Sequence, residues 1–257
     1  MQSAAVRGGG SVYLDIEFGY VYGTCRAVMM PVEIGAVVHR PEDDSVRYAG
    51  EQFRYDIDVE IWKKVTDPCG KTVGVATTVA NMGRGRYGGA YDHYFRLPGD
   101  RVPAAEETAG KAFADLRVFM ASLLTDDITE IVVFAADMER RAFRTADVPL
   151  DGRRLVDLQR EIRRRLGMKQ VLSLDRLARL IDFSAENGAV ASTHFWYPVP
   201  PGYRHLLDVH RGMGDAVRMF LLAREFREKL PELEKRVRAL EDTCGGEECP
   251  VRTARSG

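Results

Sequence analysis

The segment Ser11-Val-Tyr-Leu-Asp-Ile-Glu-Phe18 constrains this chain more than any other. Its apolar run reads as a buried strand, and it ends in carboxylates at Asp15 and Glu17. Residues i and i+2 of a strand share a face, so the two acids project together. Paired carboxylates repel each other unless a cation lies between them. A solvated strand edge also carries Asp-x-Glu, so the pair acquires chemical meaning only with partners elsewhere in the chain.

The next elements follow from periodicity. Val28 to Val38 is a second apolar, β-branched run, and Gln52 to Ile61 alternates like a third strand, which predicts an antiparallel meander. Residues 63–103 are Gly-rich and aromatic without a sustained period, and read as a long loop or flap. A helix is expected from Ala104 to Leu124, with Ala112, Phe113, Leu116, Phe119, Met120 and Leu123 on one face, and Pro103 marking its start. Ile128 to Ala135 is a short apolar strand. Helical patterns follow at 138–145, 153–167 and 173–183, with a short fifth strand as the alternative within 150–158. Phe195 to Pro201 reads as a linker, 206–229 as a helix, and Pro231 restarts a charged helix to Asp242. Three strands, a helix, a strand and then helices predict an α/β fold with a mixed sheet.

Composition narrows the function less than the pattern does. A net charge of −1 neither supports nor excludes a polyanionic partner, because positive charge can be gathered locally. Cys25, Cys69, Cys244 and Cys249 form no CxxC pair, so reduced thiols are expected. MQSAAVRGGGS lacks the apolar core of a secretory signal, and no apolar run approaches a membrane span. A cytoplasmic location and no membrane partner are therefore expected. Residues 1–10 and the tail after Cys244 read as disordered.

Two further elements join the acid pair. Asp137 follows the 128–135 strand, where an Asp is usually a helix N-cap. His210-Arg-Gly-Met-Gly-Asp215 then leads into an apolar helix. Two acids on the first strand, one after the fourth and one on the last core helix can converge at one end of a sheet. Such oxygen ligands suit Mg²⁺ or Mn²⁺.

In this order, Asp-x-Glu, Asp and His-x-x-x-x-Asp resemble the three motifs of the DEDDh 3′→5′ exonucleases, which include oligoribonuclease, RNase T and the proofreading subunit of bacterial replicase. Glu33-Ile-Gly-Ala-Val37 resembles the family's second strand, and Val156-Asp-Leu158 with Ser173 to Leu180 resembles the segment between its second and third motifs. The resemblance implies a ribonuclease H-like fold with a five-stranded mixed sheet, the first three strands antiparallel. It implies an exonuclease domain over 11–230 with the 63–103 segment as an insertion, followed by a C-terminal helix and tail at 231–257. It also implies that Asp15, Glu17, Asp137 and Asp215 hold two Mg²⁺ or Mn²⁺ ions, and that His210 is the general base. The partner would be single-stranded nucleic acid with a free 3′ end, RNA or DNA, and a homodimer is common in the family.

The chain departs from the family pattern in places. Phe18 follows the acid pair where a small polar residue is usual, either to stack on a terminal base or to fill the core. Phe134-Ala-Ala-Asp137 replaces the usual Asn and Phe before the second-motif Asp, and Gly212 stands where Ala is common. Arg84 and Arg86, with Tyr87, Tyr91, His93, Tyr94 and Phe95, combine cations and aromatics in the manner of single-strand binding, or of a self-packed flap. Arg140, Arg141, Arg144, Arg153, Arg154, Arg160 and Arg163 to Arg165 make either a solvated basic face or a groove for a phosphate backbone. The rival to an exonuclease is a catalytically inactive binding module on the same fold.

Overall fold

Alternation along the first strand sets the architecture. The computed structural model describes residues 9–22, 27–52, 93–96, 102–168, 170–208 and 211–244. In β1 (Gly10–Tyr22), Val12, Leu14, Ile16 and Phe18 turn to one side of the sheet, and Tyr13 turns to the other. Each side buries its own core cluster, so β1 is covered on both faces from Val12 to Phe18, and the apolar residues there lie almost fully out of water. At about 1.5–3 kcal/mol for each fully buried large apolar side chain, this double burial is the main force holding the strand at the centre.

The strands β2 (Ala27–Arg40) and β3 (Ser45–Gln52) follow β1 as an antiparallel meander. β5 (Ile128–Val133) and β6 (Arg154–Asp157) add to the other side of β1 in parallel. The sheet order is therefore β3-β2-β1-β5-β6, and the short β4 (His93–Arg96) pairs in parallel with the far end of β1. This is the anticipated α/β fold, with a mixed sheet whose first three strands are antiparallel.

Helices cover both faces. α1 (Val102–Leu123) and α2 (Asp137–Thr145) pack on the Val12–Leu14–Ile16–Phe18 side. On the other side lie α3 (Leu158–Arg165), α4 (Leu174–Leu180) and α5 (Gly212–Glu228), with α6 (Leu230–Cys244) packed against α4 and α5. Nearly every residue of α5 from Gly212 to Phe226 is buried, as befits a helix enclosed all round.

Three expectations shift. The third strand occupies 45–52 rather than 52–61; beyond Gln52 the earlier expectation lies outside the described residues, as do Arg84, Arg86, His210 and most of the leader and tail. The start of the 153–167 stretch is strand β6, closed by Asp157, whose side chain accepts the Arg160 N–H at 3.0 Å and begins α3. Most of the segment between α4 and α5 is not a linker. It contains a small antiparallel sheet of β7 (Ser184–Glu186), β8 (Ala189–Ala191) and β9 (Trp196–Pro198), then a 3-10 turn at Pro201–Leu206. Asn187 and Gly188 form its first turn, both with positive φ (52° and 75°), the geometry a two-residue hairpin needs. Among the described residues, no helix is long and apolar enough to cross a membrane.

Candidate metal centre

Asp15 and Glu17 lie on the side of β1 that faces α5, opposite the Leu14, Ile16 and Phe18 side. Their register partners on β2 are Gly35 and Glu33. Gly35 lets the helix in: a Cβ there would sit 2.0 Å from the Met213 backbone nitrogen. Gly212 makes the reciprocal approach, since its own Cβ would lie 2.7 Å from the Gly35 nitrogen and 3.1 Å from the Asp15 carbonyl. Backbone therefore meets backbone, and the first turn of α5 reaches the strand.

A buried ion pair fixes that junction. Glu33 Oε1 accepts from Arg211 Nε and from the Gly212 N–H, both at 3.0 Å, with both side chains nearly inaccessible. Breaking one partner of such a pair strands a buried charge, an effect on the order of 3–5 kcal/mol. The result is that Asp215, in the first turn of α5, comes down beside the strand pair. One carboxylate oxygen from each of Asp15, Glu17 and Asp215 lies within 4.8 Å of the other two, and the three residues are half-buried.

The electrostatics are those of a site built for positive charge. Burial lifts the Asp15 carboxyl well above the usual carboxylate range, and Glu17, Asp215, Glu139 and Glu33 lift it further. Glu17 is raised by burial, then by Asp215, Glu33 and Glu139, with Arg211 opposing. A divalent cation would relieve this repulsion, and three carboxylates offer the hard oxygen donors that Mg²⁺ or Mn²⁺ takes.

The second acid segment is arranged differently from expectation. Asp137 opens α2 with its side chain 87% exposed, loosely paired with Arg140 at 3.6 Å, and is not brought to the other three. Glu139 is instead buried at 5% exposure, and its Oε2 has no hydrogen-bond partner. Burial pushes its carboxyl up to about 7, against the pull of its own backbone N–H, with Asp157 and Asp137 adding to the rise. Positions two apart on a helix point to different sides, so both acids cannot face the same centre. The phase is set by the entry into α2: Ala135 adopts a left-handed φ of 58°, and the Ala136 N–H bonds the Asp157 carboxylate at 3.3 Å. A signal for Glu139 exists in the sequence, because it stands three and four residues before the core residues Ala142 and Phe143.

Phe18 fills the core instead of a substrate surface. It is 8% exposed and continues the Val12–Leu14–Ile16 row beneath α1. His210 adjoins Arg211 in sequence and lies outside the described residues.

No protein-family model matches this chain, and no curated protein matches it. Among solved structures it is similar to one described as cell-death related nuclease 4, at 10% sequence identity and a TM-score of 0.45. The match covers 87% of this chain, which spans 65% of the other's length.

Proposed function

We propose that this chain is a metal-dependent 3′→5′ exonuclease that shortens single-stranded RNA or DNA and releases nucleoside 5′-monophosphates. One observation carries the proposal: Asp15, Glu17 and Asp215 converge within 4.8 Å from a strand and a helix far apart in sequence, with the Arg218 guanidinium reaching Asp215 at 3.3 Å. The 3′→5′ direction rests on the resemblance of the Asp-x-Glu and His-x-x-x-x-Asp segments.

The ligands assigned to two divalent ions are Asp15, Glu17, Asp215 and Glu139, the last in place of Asp137. The unpartnered buried oxygen of Glu139 fits a group awaiting a cation. When bound, the ions supply Lewis acidity at phosphorus and favour ionisation of a nearby water. The chain's own residues do the remainder. His210 accepts the proton of the attacking water, a role that suits an imidazole near neutrality. The water oxygen bonds to phosphorus, the P–O3′ bond breaks, and the departing 3′-oxygen takes a proton. Glu33 and Arg211 hold the segment that carries both His210 and Asp215.

The test is a time course on 5′-labelled single-stranded RNA and DNA with Mg²⁺, with Mn²⁺ and with EDTA. The expected result is a metal-dependent ladder of progressively shorter labelled products, reduced at least about a hundredfold by Asp15→Asn and by His210→Ala. Intact substrate under every metal condition would replace this proposal with the binding-module reading.

A further inference from the structure

Nine arginines fall between residues 137 and 165, and the fold gathers part of them at one edge of the sheet. β6 ends the strand order. α2 packs into one core cluster through Ala142 and Phe143, and α3 into the opposite cluster through Leu158 and Ile162. The two helices therefore overhang β6 from opposite faces, and two adjoining cavities that share Arg140 and Leu155 together make a trough floored by Leu155 and Val156. Arg140 and Arg144 line it from α2, and Arg160 and Arg164 line it from α3.

Each pair is spaced four residues apart, so like charges stand side by side on each helix. That arrangement costs a few tenths of a kcal/mol per pair, and here it occurs twice across one trough. Local acids do not neutralise it. Arg144 and Arg164 are exposed and form no ion pair among the described residues. Arg140 and Arg160 reach Asp137 and Asp157 only at 3.6 and 4.0 Å. The Asp157 carboxylate is already engaged by the Ala136 and Arg160 N–H groups, Glu161 buries one carboxylate oxygen, and Asp147 pairs with Arg117. At one end the trough is lined by Asp157, which pairs in register with Val133 of β5, the strand next to β1, and whose charge is felt by Glu139.

We infer that this trough binds the phosphodiester backbone of a single-stranded nucleic acid, carrying the strand away from the end held at the carboxylates. The inference rests on the nuclease reading for the position of that end. Regularly spaced phosphates match two facing rows of cations. A second copy of this chain fits the edge poorly, because the same arginines would meet their own kind, and charged edges oppose strand pairing.

The experiment measures anisotropy of a fluorescein-labelled single-stranded oligonucleotide of about 20 residues, in EDTA, between about 50 and 200 mM salt. The doubly reversed protein R144E/R164E is compared with wild type and with R47E/R179E, which changes net charge equally at exposed sites on β3 and α4. The expected result is at least tenfold weaker binding for the trough variant and a salt slope shallower by about 1.4, at about 0.7 per lost phosphate contact. The control should stay within threefold of wild type. Equal losses in both variants, no loss in the trough variant, or no wild-type binding at the lowest salt would each overturn the trough. Binding needs no metal, so the two readings separate. Trough-dependent binding by a protein that cleaves nothing sustains the trough and removes the nuclease, and cleavage with an indifferent trough variant does the reverse.

Discussion

Asp137 and Glu139 stand two residues apart on one short helix, yet one carboxylate meets solvent and the other is buried with an oxygen that has no hydrogen-bond partner. Glu139→Gln should lower metal-dependent cleavage at least about a hundredfold, whereas Asp137→Asn should stay within about threefold, as measured by initial rates on one labelled oligonucleotide. The reverse ranking would restore Asp137 to the centre. Asp15 and Glu17 were legible because a strand alternates strictly, and Asp215 because it opens an apolar helix. Glu139 was not, because an Asp directly after a strand invites attention, while the phase of α2 depends on the left-handed Ala135, a conformation that alanine rarely announces. Phe18 was decidable by the same alternation: an even position in a row of buried even positions belongs to the core.

At the level of elements, the centre depends on how closely α5 approaches β2. Gly35→Ala places a methyl group 2.0 Å from the Met213 nitrogen, so the helix must withdraw. The expected loss is about 1–3 kcal/mol in urea unfolding, with a larger proportional fall in cleavage than in stability, because Asp215 withdraws with the helix. A second tie joins the other end of α5 to the sheet. His39 Nε2 lies 2.9 Å from Asp44 Oδ1 and 3.1 Å from the Arg224 guanidinium, and Tyr197 donates to Asp44 at 2.9 Å. Burial, assisted by Arg224, lowers the His39 pKa below 6.5, although Asp44 pulls the other way. The folded state thus holds fewer protons than the unfolded one, and the contribution is complete above about pH 6.5 and is lost as pH falls below it. Glu139, raised to about 7, and the raised Asp15 and Glu17 act in the opposite sense, so the difference is the test. Between pH 7 and pH 5 the urea midpoint of His39→Gln should fall less, or rise more, than that of wild type, and an equal slope would remove His39 as a contributor. Elements with strong periodicity were readable from sequence, including β1, β2, α1 and α6. The β7–β9 sheet was missed because its strands are three residues long, although Asn187-Gly188 is the turn signal that could have disclosed it.

Over the whole molecule, a net charge of −1 conceals a separation: carboxylates crowd the middle of the central strand, and arginines line the far edge of the sheet. The crowding destabilises the metal-free protein. Mg²⁺ or Mn²⁺ at a hundred times its dissociation constant should add about 2.7 kcal/mol, raising Tm by about 5–10 °C. Asp15→Asn should raise the Tm of the EDTA-treated protein and abolish most of the metal-dependent rise, as read by differential scanning fluorimetry. A rise of equal size in that variant would place the responsive cation elsewhere. The converging carboxylates come from the first strand and from α5, late in the sequence, with α2 between them. Emerging from the ribosome, β1 presents two of these acids long before α5 exists to complete the set. On the proposed nuclease reading, a nascent chain is unable to cut the nucleic acid around it, and competence arrives as a single late event, when α5 closes over the first strand.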